Sequence, residues 1–373
     1  MEKHLHIVSF DVPYPPNYGG VIPIFSLLKS LKEAGVLVHL HCFEYGRGHQ
    51  PELDKYCVEV RYYSRASGLK GFSFQLPYIV STRINKKLRE NLLKDDYPIL
   101  FEGIHCSHLA LRPEFKNRKT TVRLHNVEYL YYRQLYKNSS GLLKRAYYYL
   151  ESILLKRYER KVASKLMLVA LSNEDKLVYQ RRLGARKIIH LPMIVPYSGL
   201  KSQSGTGTFC LYHGNLSVGD NEKAATWLAQ KVFNDLSIPL TIAGKNPGEQ
   251  LKKIIAANSN ITLIENPSDE ELQELITAAH INVLPSFNST GIKLKLLNAL
   301  FNGRHCVVNA AMACATQFVT LCHIADDEDE FKSLIRSLFP EPFSSTEILM
   351  RKRLLLEVYD NATNTQSLLA WIY

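Results

Sequence analysis

Several absences narrow what this chain can be. No uninterrupted apolar run among its 373 residues approaches the ~18 needed to cross a membrane, and the opening Met-Glu-Lys-His-Leu-His-Ile-Val-Ser-Phe lacks the layout of a secretory signal. A cytoplasmic protein is expected. The seven cysteines (Cys42, Cys57, Cys106, Cys210, Cys306, Cys314 and Cys322) include no Cys-x-x-Cys pair, which argues against a disulfide framework and a zinc site and for buried free thiols. There is no Gly-x-Gly-x-x-Gly, so a nicotinamide or flavin cofactor is disfavoured. Ordinary glycine and proline usage excludes fibrous and low-complexity classes, and no repeat of roughly 20 to 50 residues is visible.

What is present is a soluble-type composition, 46% hydrophobic and 22% charged, long enough for two domains. The formal charge of +11 is unevenly spread: residues 1–207 hold 33 Lys and Arg against 17 Asp and Glu, whereas residues 208–373 hold 13 against 18. Within the first half, 116–161 carries twelve basic residues against Glu128, Glu151 and Glu159. There Leu143, Tyr147, Leu150, Leu154 and Tyr158 recur at helical spacing with Arg145, Lys156, Arg157 and Arg160 largely opposite. Such a helix suits an anionic lipid surface, with Tyr147, Tyr148 and Tyr149 at headgroup level, or packs its stripe on its own domain. No zinc finger or RNP motif accompanies the charge, so no nucleic-acid partner is expected.

Strands fit 4–10, 36–43, 58–63, 99–102, 120–124, 167–171 and 188–191, alternating with helices, which implies a parallel sheet covered on both faces. Residues 197–207 have a linker's composition, and the alternation then restarts with strands near 209–213, 240–243, 261–264, 281–284, 306–309 and 320–323. The reading is an α/β chain of two doubly wound domains, 1–196 and 208–343, with a helical segment 344–373 crossing back to the first. Ligands of such sheets bind at the carboxyl ends of the strands, so the site is expected in a cleft between the domains.

The candidates are the polar residues that follow strands. Asn17-Tyr18-Gly19-Gly20 opens a helix with two glycines, which lets a phosphate or sugar approach backbone amides. Arg123-Leu-His125-Asn126-Val-Glu128 puts a histidine just past a strand end, where it can donate to a sugar hydroxyl. In the second domain, the stretch 284–303 runs from a strand through a polar loop into a helix that carries Lys293 and Lys295 in its first turns. Lysine there opposes the helix dipole, and a bound anion would supply the reason.

At this stretch the chain resembles the retaining glycosyltransferases of family 4, of the GT-B fold, especially those of bacterial polysaccharide and lipopolysaccharide synthesis. Gly291, Ala299, Gly303, Val307 and Val308 match the family pattern, while its two glutamates fall on Thr290 and Asn298. More loosely, Asn17 to Gly20, His125 to Glu128, Gly214-Asn215-Leu216 to Asn221, and Ala243-Gly244-Lys245-Asn246-Pro247 resemble other family loops.

The resemblance implies two Rossmann-like domains, an acceptor-binding one and then a nucleotide-sugar-binding one. A hexose would pass from a nucleoside diphosphate sugar to a lipid-linked or growing glycan with retention, and no metal or other cofactor is needed. His125 and Lys295 would be catalytic. Gly19, Gly20, Gly214, Asn215, Lys245, Thr290, Gly291, Ile292, Lys293 and Asn298 would hold the donor, and Asn17, Tyr18, Arg123, Asn126 and Glu128 the acceptor. The basic first half suits peripheral attachment to the inner face of the cytoplasmic membrane. The loss of both glutamates leaves an alternative, a weak or inactive homologue that binds a nucleotide sugar or glycan as a partner subunit.

Overall fold

The computed structural model describes every residue except Met1, Ser140, Ser198, 288–292 and 314–317. The chain divides into two compact units. Residues through Pro196 together with Tyr359–Tyr373 make the first, and Tyr197–Ser289 with Lys293–Val358 the second.

The first unit is a seven-stranded sheet in the order β3-β2-β1-β4-β5-β6-β7, every pair parallel. Its strands are β1 (Lys3–Ser9), β2 (Val36–Glu44), β3 (Glu59–Ser64), β4 (Ile99–Glu102), β5 (Thr120–Leu124), β6 (Met167–Ala170) and β7 (Ile188–His190). The helices are α1 (Ile22–Glu33), α2 (Tyr78–Ser81), α3 (Lys86–Leu92), α4 (Glu128–Asn138), α5 (Leu142–Lys165) and α6 (Asn173–Leu183). Helices cover both faces of the sheet, so β4 and β5 are buried at every position, β5 even at Thr120, Thr121 and Arg123, and apolar runs such as Met167–Ala170 need no alternation. Local signals set the helix ends. Ser172 accepts from the Asp175 amide to open α6, and Gly184, at φ +76°, closes it. The strand order reverses between β1 and β4, which marks their carboxyl ends as the binding edge of this sheet.

Part of this interior is polar. His6 bonds His41 at 2.9 Å, His41 bonds the Tyr63 hydroxyl at 2.8 Å, and His6 also meets Asp95 at 3.0 Å, itself paired with Arg118 at 2.8 Å. Burial pulls His6 and His41 below the ordinary imidazole range, so the chain of rings is neutral.

The second unit holds a six-stranded sheet in the order β10-β9-β8-β11-β12-β13, again parallel throughout. Its strands are β8 (Cys210–Asn215), β9 (Leu240–Lys245), β10 (Ile261–Glu265), β11 (Ile281–Val283), β12 (His305–Val308) and β13 (His323–Ile324). Its helices are α7 (Gly219–Trp227), α8 (Glu249–Ala256), α9 (Asp269–Ala278), α10 (Leu294–Asn302), α11 (Ala310–Ala313), α12 (Glu328–Leu338) and α13 (Ser345–Val358). α9 opens on a reciprocal capping box between Ser268 and Glu271.

Three elements differ from the sequence reading. The strand expected at 320–323 is a helical turn, Val319–Leu321, followed by the two residues of β13. Within the expected linker 197–207, residues 201–207 are not a loose tether. The Lys201 and Ser202 amides donate to the Phe301 carbonyl, Gly205 pairs with Phe343, and a Cβ on Gly207 would stand 2.4 Å from the Ala278 carbonyl oxygen. The segment 344–373 splits after Val358, with α13 in the second unit and α14 (Asn361–Ile372) in the first. There Leu368, Leu369 and Ile372 join the apolar cluster of Leu27, Leu28 and Leu31, and Asn361 exchanges two hydrogen bonds with the Val195 backbone. Six of the seven cysteines are described, and all six are free thiols. Among the described residues, no helix is long and apolar enough to cross a membrane.

Candidate functional site

At the carboxyl edge of the first sheet, the residue that organises the others is one the sequence reading passed over. Glu102 ends β4 and is fully buried. The Arg123 Nε donates to both of its oxygens, at 2.9 and 3.0 Å, and the same guanidinium reaches the Pro23 carbonyl of α1 at 3.1 Å. The His125 Nε2 lies 2.7 Å from Glu102 Oε2. Burial pushes the Glu102 carboxyl up, but Arg123 and His125 outweigh it and hold it below the usual range. Burial also lowers His125, so the imidazole is neutral, carries its proton on Nε2 towards Glu102 and keeps a lone pair on Nδ1.

The loop after β1 packs on itself. Tyr18 donates to Asp11 at 2.6 Å, Arg47 reaches Asn17 at 3.0 Å and lies over the Tyr18 ring, and a Cβ on Gly20 would stand 2.6 Å from that ring. Gly20 is therefore required by the Tyr18 packing. Gly19 is exposed.

Behind this edge, the N-terminus of α4 rests on a buried carboxyl. Glu159 of α5 accepts from the Glu128 and Tyr129 amides, both at 2.9 Å, and from the Tyr179 hydroxyl at 2.7 Å. Burial raises Glu159 to about 8, and burial together with Asp175 raises Glu128 to about 7. Asn126 bonds Glu128. Of the residues assigned to an acceptor, Arg123 is committed to Glu102 and Pro23, and Glu128 is inside the unit; Asn17, Tyr18 and Asn126 are half-buried or exposed.

In the second unit, the carboxyl ends of β8 and β9 approach so closely that glycine is needed at 244, and Gly214 leaves room for the Asn221 side chain. A Cβ on Gly244 would lie 2.0 Å from the Gly214 carbonyl oxygen, and one on Gly214 would meet Asn221 at 3.2 Å. Asn221 caps this corner. It donates to the Asn215 carbonyl at 2.9 Å, and its own carbonyl accepts from the Tyr212 hydroxyl at 2.9 Å.

Into the same corner comes Lys295, one residue inside α10. Its ammonium lies 3.1 Å from Asn221 Oδ1, 3.3 Å from the Tyr212 hydroxyl and 4.9 Å from the centre of the Tyr212 ring. Burial and Lys293 pull its pKa down to about 7, against an upward pull from Asp220. The helix begins at Leu294 with a buried Lys293 at its cap, so β8 and α7 explain in part why lysine stands at this terminus. Beside it, His213 is buried and neutral, with Nε2 making no hydrogen bond among the described residues; burial and then Lys295 bring its pKa to about 3.

Of the remaining donor candidates, Asn215 and Lys245 close β8 and β9 beside this corner. Lys245, 40% exposed, pairs with Asp269 at 3.7 Å, and Asn215 accepts from Ser217. The side-chain oxygen of Asn298 is taken by Gln273 at 3.2 Å and Asn302 at 2.7 Å. The strand ends β11 and β12 are clasped by two hydrogen bonds between Ser286 and Asn309. Lys223 of α7 sits over the Phe287 ring. Thr290, Gly291 and Ile292 lie outside the described residues.

A corner of this kind, with a half-buried cation at the mouth of a parallel sheet, suits a phosphate. Residues 207–340 match the family model for glycosyl transferases group 1. An uncharacterised 44.6 kDa protein of the cps region of Klebsiella pneumoniae is 30% identical over 318 residues, spanning 79% of this chain and 80% of that protein. This chain belongs to the group 1 glycosyltransferases. Solved glycosyltransferases share its fold. WaaG, described as involved in lipopolysaccharide biosynthesis, superposes with a TM-score of 0.63 at 11% identity over 97% of this chain and 94% of its own. TarM gives 0.68 at 10% identity over 100% and 99%. A UDP-forming trehalose-phosphate synthase of Burkholderia xenovorans, solved with glucose-6-phosphate, gives 0.65 at 10% over 99% of each chain. The two parallel sheets with their helices are thus those of a GT-B glycosyltransferase.

Proposed function

We propose that this glycosyltransferase moves a hexose from a nucleoside diphosphate sugar to a hydroxyl of a lipid-linked or growing glycan, with retention, in the synthesis of a bacterial surface polysaccharide. The observation that carries the donor half is Lys295, a half-buried ammonium at the carboxyl edge of β8. Departure of the nucleoside diphosphate is where full negative charge develops, and a preformed cation in a partly dry corner stabilises it without reorganisation. Lys293 and Lys245 add positive charge nearby, and the exposed pair of Lys245 with Asp269 is weak enough to exchange for a phosphate. His125, oriented by Glu102, positions the sugar. Retention and the hexosyl donor rest on the resemblance of 284–308; the polysaccharide context rests on the cps-region relative.

The test is a thermal-shift panel of UDP, GDP, UDP-glucose, UDP-galactose, UDP-N-acetylglucosamine and GDP-mannose. One nucleotide class should raise Tm, by about 2.7 kcal/mol of added stability at a hundredfold excess over Kd. A folded protein indifferent to all six refutes the donor assignment and returns the chain to a glycan-binding role.

Membrane attachment has its own support in the first half of α5. Leu142, Leu143 and Leu150 are 83%, 90% and 60% exposed beside Lys144 and Arg145, and Leu69 and Phe74 stand out at 92% and 87%. The second half of the same helix buries Leu155, Tyr158 and Val162, whereas in the first half Tyr148 and Tyr149 meet Tyr132 and Tyr136 of α4 and the leucines are left outside. Replacing Leu142 and Leu143 by serine should weaken sedimentation with phosphatidylglycerol vesicles by about tenfold or more, from roughly 1.5–3 kcal/mol per buried leucine, with Tm unchanged. Equal binding by the double variant would leave α5 without a part in attachment.

A further inference from the structure

The edge of the second sheet brings together three side chains that the glycosyl-transfer reading does not use. In the parallel pair β12–β13, Val307 lies opposite His323, and His305 is two residues before Val307, so His305 and His323 project from the same face of the sheet. Glu347, in the first turn of α13, comes to that face. A ring nitrogen of each histidine and a carboxylate oxygen of Glu347 all lie within 4.8 Å of one another. We propose that His305, His323 and Glu347 bind a divalent transition-metal ion of the zinc class, with the fourth position open to solvent.

The outer partners of two of these ligands, His305 and Glu347, are in place. His305 is 3% exposed, and its Nε2 donates to the Glu341 carbonyl at 3.2 Å, which fixes the tautomer and leaves a lone pair on Nδ1. Among the described residues that Nδ1 makes no hydrogen bond, and Glu347 Oε1 lies 3.5 Å away. Zinc–nitrogen and zinc–oxygen bonds near 2.0–2.2 Å in a tetrahedron set ligand atoms roughly 3.4 Å apart, so this pair stands at ligand spacing. Glu347 is divided in its duties. Its Oε2 accepts from the Ser344 amide at 2.8 Å and hydroxyl at 2.9 Å, closing a capping box at the start of α13, and Oε1 is left for the ion.

A cavity of about 70 Å³ touches His323, Glu347, Thr320 and Met350, which gives a bound water its place. The nearby cation, Arg351, spends its guanidinium on the Gly303 and Arg304 carbonyls and the face of Phe343, so its charge is partly offset. Two imidazoles with one carboxylate select a borderline metal over magnesium or calcium. The ion would pin the two-residue β13 to β12 and α13. His305 opens β12, so the site lies at the amino end of the strand, opposite the edge where Lys295 stands.

The experiment uses the full chain, free of any affinity tag and stripped with a chelator, titrated with Zn²⁺ against a chromophoric competitor and with Co²⁺ followed by its visible spectrum. Wild type should take up one equivalent, show a low-symmetry Co²⁺ spectrum and gain Tm on loading. His323→Ala should lose that equivalent, and Glu347→Gln should bind at least tenfold more weakly. Glutamine still serves the capping box with Ser344, so the stripped Glu347→Gln protein should melt with stripped wild type, which separates lost binding from lost folding. The proposal is overturned by wild type that takes up no stoichiometric ion, or by variants that both bind as wild type does.

Discussion

Glu102→Gln should destabilise the protein by about 3–5 kcal/mol, because it strips the partner from a fully buried guanidinium. Arg123 is 2% exposed, and among the described residues its Nε has no acceptor but Glu102. An amide offers one oxygen where the carboxylate offered two charged ones, and it must also serve the His125 Nε2. Urea unfolding followed by far-UV dichroism reads the effect. A loss below about 1 kcal/mol would mean that Arg123 escapes to water in the variant and that the pair does not organise the edge. Glu102→Gln with Arg123→Met should recover much of the loss, since a buried ion pair replaced as a whole by neutral groups is often close to neutral. The recovery stays incomplete because the Pro23 carbonyl loses its donor. The same pair sets an acid limb: a carboxyl whose folded pKa lies below 4.5 contributes stability that is present above 4.5 and lost as pH falls through the folded value.

Most of the architecture was open to sequence reading because strands in parallel sheets are continuous apolar runs. The stretches 99–101 and 167–170 stand out as such, and both are strands. The misread elements have no such run. β13 has two residues, and 197–207 has the composition of a linker while its amides are taken by Phe301 and Phe343. Candidate residues were legible where neighbours in sequence are also neighbours in space, as for the turn 17–20 and the lysines at the start of α10. Glu102 was not, because it closes an apolar run and its partner Arg123 lies 21 residues on. His213, at the end of β8, was missed in the same way; its position just before Gly214-Asn215 was the available signal. His305, His323 and Glu347 are 18 and 24 residues apart, and only the register of β12 on β13 and the return of α13 bring them together.

Lys295→Met should lower kcat by about 10²–10³ fold, the effect of removing one preorganised donor to a developing anion. Nucleoside diphosphate binding should weaken by about ten- to a hundredfold, from the roughly 1.5–3 kcal/mol of a hydrogen bond to a charged group. Methionine keeps an apolar stem over the Tyr212 ring and removes a cation that burial already disfavours, so Tm should hold or rise. The pH dependence makes the assignment specific. With a pKa of about 7, Lys295 donates in its protonated form below neutrality and loses that form above it. In wild type, kcat/KM should therefore fall as pH rises through about 7, by up to tenfold per unit, and the fall should vanish in Lys295→Met. Asp220 raises this pKa, so Asp220→Asn should move the fall to lower pH without abolishing it. Steady-state rates across pH 5.5–9 with the donor found by thermal shift measure all three proteins. An unchanged kcat/KM in Lys295→Met would remove the ammonium from the reaction and leave Lys245 and Lys293 as the cations to test.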